Sequence, residues 1–213
     1  MWSDWASMPV VELQNGIRLD TSYYYWPSNW IADRPGLFTG SGMPMRFANT
    51  DGSLIDVYQA ATQLTDESGQ TYPLHVDTLL DNALGPLAYY GVFAANMHTD
   101  VVSSPPSDAI IASAKARNVP VISSKQLLTW LDGRNNSTFS GMSWSGTTLS
   151  FSVITGSGAN GLQVMVPTQA GALRLTGITL NGSPVATTTT LIKGINYAFV
   201  TVAPGQYTVV YAP

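Results

Sequence analysis

The chain has 213 residues, of which 45 % are apolar and only 10 % are charged, so it can build one large domain or two small ones. Its net charge of −4 and the absence of a Lys/Arg cluster argue against a nucleic-acid partner. With no cysteine, it has neither a disulfide framework nor a thiolate metal site.

Polarity comes mainly from uncharged side chains and from 19 glycines, a balance typical of extracellular proteins that act on neutral polymers. No apolar run approaches the ~20 residues that span a bilayer, so no membrane association is expected. The first residues, Met1-Trp2-Ser3-Asp4, lack the basic start and apolar core of a signal peptide. We therefore expect a secreted protein whose export signal is missing from this chain.

Patterns in the first 134 residues favour an α/β domain. Strands are predicted at Gly16–Asp20 and Leu54–Tyr58, and a short helix at Thr78–Ala83, capped by Asp77 and ended by Gly85-Pro86. Further along, two strands and two helices alternate. They are a buried strand over 88–97, a helix capped by Ser107 or Asp108, a buried strand at Val119–Ile122 and a helix capped by Ser124 and ended by Gly133. Strands that alternate with helices indicate a largely parallel sheet, here incomplete because few units are visible.

The strand predicted at 88–97 ends in a polar tip formed by Asn96, His98 and Asp100. On an extended backbone these three residues share one face. A histidine at the C-terminal end of a strand is where α/β proteins commonly place chemistry. His98 is therefore a candidate acid or base, with Asp20 or Asp100 as the carboxylate that orients it. The alternative is that His98 caps a loop and Asp100 is solvated.

Other polar and aromatic residues suggest a substrate cleft. Arg46 stands among apolar neighbours, and we expect it to pair with Asp20 or Asp56 or to face a cleft. Asp66-Glu67 is predicted to lie on a solvated turn. Ser41, between two glycines, is a weak candidate nucleophile because no G-x-S-x-G motif is present. The aromatic residues that would line the cleft are Tyr24, Trp26 and Trp30.

After Gly133 the chain is nearly uncharged and alternates apolar with polar residues. Short strands are predicted at Thr148–Val153, Leu162–Val166, Ala172–Leu180, Tyr197–Val202 and Gln206–Tyr211, with Asn181-Gly182 as a hairpin turn. About seven short strands at this spacing predict a β-sandwich. The predicted domains are therefore 1–134, α/β, and 135–213, an all-β sandwich whose aromatics serve the core or a carbohydrate-binding face.

One part of the chain resembles the C-terminal end of the polysaccharide deacetylase barrel. It consists of Ala94-Ala95-Asn96-Met97-His98-Thr99-Asp100, the helix after them, Val119–Ser123 and the helix Lys125–Leu131. Gly16–Thr21 with Tyr23-Tyr24-Tyr25-Trp26 resembles the middle of large secreted proteins of actinobacterial type in that superfamily, which carry a trailing β-sandwich. The resemblance implies a distorted (β/α) barrel, of which this chain would hold a part.

In that family a divalent metal such as zinc is held by an Asp and two His from early motifs, a second Asp acts as base and a late-strand His acts as acid. Only the late His maps onto this chain, at His98. The early Asp-Asp pair and the His-x-x-x-His motif are absent, so metal ligands remain unassigned. The resemblance implies a hydrolase of acyl esters or amides on a polysaccharide, with His98, Asp100 and Asp20 catalytic and Tyr24, Trp26, Trp30 and Arg46 contacting substrate.

Two other functions are compatible with the sequence. One is a non-catalytic carbohydrate-binding or assembly module, and the other is a metal-free ester or polyester hydrolase that uses Ser41 or another nucleophile. An incomplete barrel would expose sheet edges and apolar surface, so we also expect a homo-oligomer.

Overall fold

A computed structural model of the chain describes residues 6–23, 42–67, 69–87 and 91–213. The chain divides into two compact units, Met1–Ser124 and Lys125–Pro213, called here the N-terminal and C-terminal units. The division falls ten residues before the boundary predicted from composition, because the helix that was expected to end the first domain is grouped with the second.

The described residues form four short helices: α1 (Ser7–Gln14), α2 (Leu74–Leu84), α3 (Pro105–Ala116) and α4 (Ser124–Asn135). Helix α3 begins with the Ser104 side chain accepting from the amide of Ser107, and prolines fill its first positions. Helix α2 starts three residues before Asp77, so Asp77 lies in its first turn and is not its cap. Among the described residues no helix is long and apolar enough to cross a membrane.

The N-terminal unit contains two small sheets. One has the order β1 (Leu19–Asp20), β3 (Leu54–Gln59), β2 (Met45–Ala48), with β1 parallel and β2 antiparallel to β3. The other is a parallel pair of β4 (Thr62–Thr65) and β5 (Ala94–Asn96). Leu64 of β4 packs with α2 and α3 in an apolar core whose members are Leu64, Val76, Leu79, Leu80 and Ala114.

An ion-pair network joins helices α2 and α3. Arg117, which follows α3, binds Asp77 through Nη1 at 2.8 Å and Asp81 through Nε at 2.7 Å, both on α2. Because Asp77 and Asp81 are four residues apart, they lie on one face of α2, where a single guanidinium reaches both.

The predicted fold class, a partial (β/α) barrel followed by an all-β sandwich, is wrong: the described residues form fourteen strands in several sheets and only four short helices, and no (β/α) barrel is present among them. Val119–Ile122, predicted as a buried strand, pairs with no strand in the ranges that the structure describes, and Val121 and Ile122 are 61 % and 46 % exposed. The described strand within 88–97 is only Ala94–Asn96. An apolar run shows that a segment favours burial, but a sheet needs a neighbouring strand to accept its hydrogen bonds.

The C-terminal unit has two antiparallel sheets and helix α4. The larger sheet has the order β11 (Ser183–Pro184), β10 (Leu173–Leu180), β14 (Gln206–Ala212), β7 (Thr148–Ile154), β6 (Thr138–Ser145), with β9 (Gln169–Ala170) on β10. The smaller has the order β12 (Thr188–Ile192), β13 (Ile195–Thr201), β8 (Gln163–Pro167). Buried residues of both sheets form one core: Phe151, Val164, Val166, Ile178, Ala198, Val200, Tyr207, Val209 and Tyr211.

Two local features set the registers of this unit. Asn181 and Gly182 both have positive φ, 50° and 81°, in the two-residue turn between β10 and β11. In β6 the register shifts between Ser140 and Ser143, where Gly141 has φ 59°. This bulge places Phe139 and Trp144 on the same face although they are five residues apart, since Phe139 pairs with Val153 and Trp144 with Leu149.

Candidate functional site

Strands β4 and β5 bring His98 and Asp66 together. The strands run parallel and Thr65 pairs with Asn96, so both end at the same edge. Asp66 follows β4 directly, and His98 comes two residues after β5. The carboxyl ends of parallel strands are where side chains from distant parts of a sequence most often meet in a site.

Asp66 holds His98 at two points. Its Oδ2 accepts a hydrogen bond of 2.9 Å from the His98 backbone amide, and its Oδ1 lies 2.9 Å from His98 Nδ1. The carboxylate therefore fixes the imidazole relative to its own main chain. Since Asp66 Oδ1 accepts from Nδ1, the proton of the neutral ring is on Nδ1, and Nε2 remains for chemistry.

The turn that carries Asp66 is held by its own hydrogen bonds. Gln70 Oε1 accepts from the amide of Thr65, and Gln70 Nε2 donates to the carbonyl of Gln63. The hydroxyl of Tyr72 donates to the Thr65 carbonyl at 3.2 Å. After β5, Met97, next to His98, packs against the apolar core of the unit. Asp66 is thus held by hydrogen bonds around its turn, and His98 by the packing of its neighbour.

Two more carboxylates act on His98. Glu67 Oε1 lies 3.3 Å from Nε2, and Asp100 acts on the ring through its charge. The His98 side chain is 49 % exposed and that of Glu67 59 %, whereas Asp66 is only 18 % exposed. Asp66 is therefore the more buried partner of the imidazole, and Nε2 lies beside the more exposed Glu67.

The electrostatics favour the charged form of both partners. The hydrogen bond with Asp66 raises the pKa of His98 above its ordinary value of 6.5, and the negative charges of Glu67, Asp66 and Asp100 act in the same direction. The two hydrogen bonds from His98 lower the pKa of Asp66 below 3.8. His98 therefore carries a proton at pH values where an ordinary histidine has lost it.

These pKa shifts predict how the pair affects stability with pH. Because the pKa of His98 is raised, its contribution to the free energy of unfolding is complete below pH 6.5 and is lost as the pH rises through the raised pKa. Because the pKa of Asp66 is lowered, its contribution is complete above pH 3.8 and is lost as the pH falls through the lowered pKa. We expect the stability advantage of the wild type over His98→Gln to be largest between these two ordinary values. Urea unfolding midpoints across the pH range measure this stability difference, and a difference that does not change with pH would contradict a stabilising ion pair between His98 and Asp66.

The divalent metal implied by the deacetylase resemblance does not fit the residues present. Both ring nitrogens of His98 face carboxylate oxygens at hydrogen-bonding or ion-pairing distance. The nitrogen and oxygen atoms that could ligate a metal therefore contact one another and do not surround a shared ion. The other histidine, His75, is buried and its Nδ1 accepts from the amide of Thr71. Across the described ranges no group of three or more His, Asp or Glu side chains could hold a metal ion.

Neither Asp20 nor Asp100, the carboxylates predicted to orient His98, forms a hydrogen bond with its ring in the described structure. Asp20 is 4 % exposed at the end of β1, and its Oδ1 accepts from the amide of Ser22 at 2.7 Å. Asp100 is exposed beyond β5, which ends at Asn96, so Asn96, His98 and Asp100 do not share the face of one strand. The carboxylate that orients His98 is Asp66, for which the sequence interpretation gave a solvated turn.

Arg46 pairs with Asp56, one of its two predicted partners. Its Nη2 lies 3.3 Å from Asp56 Oδ1 and donates to the Tyr58 hydroxyl at 3.0 Å. Arg18 binds the same Asp56 carboxylate through Nε and Nη2. Tyr24, Trp26, Trp30 and Ser41, predicted as cleft residues and nucleophile, lie outside the described residues.

The deacetylase resemblance transfers a single functional residue, His98, to this site, and the barrel that it implies is absent from the described residues. The geometry around His98 is therefore the basis for assigning chemistry. Comparison with known proteins adds no template: no protein-family model, no curated protein and no solved structure matches this chain.

Proposed function

We propose that this chain hydrolyses acyl esters or amides on a polysaccharide, with His98 as the proton donor and Asp66 as the residue that positions it. The observation that supports the proposal is the two-point attachment of His98 to Asp66, which engages Nδ1 and leaves Nε2 beside the exposed side chain of Glu67. A fixed, protonated imidazole is suited to general acid catalysis.

The reaction needs one proton at the leaving atom. Water adds to the acyl carbon and releases one of its protons to solvent, the C–O or C–N bond breaks, and the leaving oxygen or nitrogen takes the proton from His98 Nε2. The carboxylic acid that forms loses its proton to water, and His98 is protonated again from solvent. The hydrogen bond to Asp66 holds the proton on Nδ1 and stabilises the imidazolium while Nε2 is also protonated.

A polymer-binding module is the second candidate, and the edge strand β6 favours it. Phe139 and Trp144 are both about half exposed and share one face of this strand. The Trp144 ring lies 5.5 Å from that of Tyr211, and the Phe139 ring lies 5.4 Å from that of Phe151, so core residues support both exposed rings. Supported aromatic rings are a common surface for sugar rings.

The test is release of acetate from acetylated chitin, acetylated xylan and a small aryl acetate, with added Zn²⁺ and with chelator. We expect release that persists in excess chelator, because the described residues hold no group able to bind a metal. Release that stops in chelator would contradict the metal-free reaction. Binding to insoluble polymer without any product, lost in Trp144→Ala, would replace the hydrolase with the binding module.

A further inference from the structure

Within the described part of the chain, all the charged side chains that act on His98 are acidic. They are Asp66, Glu67 and Asp100. The three arginines in the described part of the N-terminal unit are engaged elsewhere: Arg18 and Arg46 bind Asp56, and Arg117 binds Asp77 and Asp81. The surroundings of His98 are therefore negative, and the imidazolium itself offsets only part of that charge.

The charge of the whole unit has the same sign. Residues 1–124 contain twelve acidic and five basic residues, a net charge of −7, whereas residues 125–213 contain one acidic and four basic residues, a net charge of +3. A ligand that approaches the N-terminal unit thus meets a negative field before it meets the site.

We propose that the His98 site selects acyl groups that lie beside neutral or positively charged substituents and rejects those beside carboxylates, with Glu67 as the selecting residue. The inference rests on the proposed function. Glu67 is the carboxylate next to Nε2, at 3.3 Å, so a leaving group that takes the Nε2 proton lies close to it. The polymer favoured is a partly acylated amino sugar chain, whose free amines are cations, over a polyuronate ester.

Three aryl acetates with one skeleton test the charge preference: 3-acetoxy-N,N,N-trimethylanilinium, phenyl acetate and 3-acetoxybenzoate. The kcat/KM of each ester is divided by the rate constant for its hydrolysis by hydroxide, so that differences in intrinsic reactivity between the esters cancel. At ~20 mM ionic strength we expect the cation to exceed the anion by about 10-fold, and at ~0.5 M by less than about 3-fold, because salt screens exposed charges. A ratio near one, or an inverted ratio, would overturn the proposal.

Glu67→Gln should lower the cation-to-anion ratio by about 3-fold. Glu12→Gln is the matched control, because Glu12 is the only other glutamate and its loss changes the net charge equally. An equal fall of the ratio in both variants would assign the preference to net charge and refute the role of Glu67.

Binding separates a failure of this inference from a failure of the proposed function. If none of the three esters is hydrolysed, the hydrolase proposal fails. The selectivity is then decided by NMR titration of the His98 ring with 3-hydroxy-N,N,N-trimethylanilinium and with 3-hydroxybenzoate. Shifts at a lower concentration of the cation support the selectivity, and equal or reversed affinities overturn it.

Discussion

His98→Ala is expected to lower kcat/KM for acyl release by about 10²–10⁴-fold, the range that a positioned general acid contributes. The exposed ring packs little surface, so the variant should fold like the wild type. Initial rates of acetate release, with far-UV circular dichroism as the check on folding, measure the effect. Unchanged release from a folded variant would remove His98 from the reaction.

Asp66→Asn distinguishes a positioning carboxylate from a merely structural one. The amide cannot stabilise the imidazolium as a carboxylate does, so the pKa of His98 should fall and the alkaline limb of the pH–rate profile should move to lower pH. The rate should lie between those of the wild type and His98→Ala. Asp51→Asn is the control, since Asp51 accepts from Ser53 in a similar local arrangement but does not bind His98. A profile shifted equally by both substitutions would contradict the role of Asp66.

Tyr207→Ala is expected to destabilise the C-terminal unit by about 3–5 kcal/mol, as for other large aromatic truncations in a core. The Tyr207 side chain is fully buried and stacks on Phe151 with ring centroids 5.2 Å apart. Its hydroxyl accepts from the amide of Ala203 at 2.8 Å and donates to the Ala203 carbonyl at 3.1 Å. The ring therefore fills the core, while the hydroxyl holds the turn before β14.

Tyr207→Phe separates these two contributions. It keeps the ring and leaves the partly buried Ala203 amide without its acceptor, which costs about 1 kcal/mol. Tyr197→Phe is the matched control, because the Tyr197 hydroxyl has no hydrogen bond to the rest of the described chain, and it should change stability by less than about 0.5 kcal/mol. Free energies of unfolding from urea titrations compare the three variants. Equal stability of Tyr207→Phe and wild type would show that the hydroxyl contributes nothing.

Local sequence determined the elements whose cause is local. The alternation of apolar and polar residues placed β7, β8, β10, β13 and β14 within one or two residues of their observed bounds. Asn181-Gly182 forms the expected two-residue turn because both residues tolerate positive φ. Helices α3 and α4 lie near their predicted positions, but α3 is capped by Ser104 and not by Ser107 or Asp108, and α4 includes Ser124 and continues past Gly133 to Asn135.

Tertiary structure alone decided which strands pair and which side chains meet. Val119–Ile122 has the composition of a strand but pairs with no strand among the described residues, so it adds nothing to the largely parallel sheet that the alternation of strands and helices predicted. Asp66 and His98 are 32 residues apart, and the pairing of Thr65 with Asn96 brings them into contact. No local pattern encodes that register, since it depends on how distant segments share one core. The sequence alone therefore predicted a strand just before His98, and the fold decided that Asp66 is its partner.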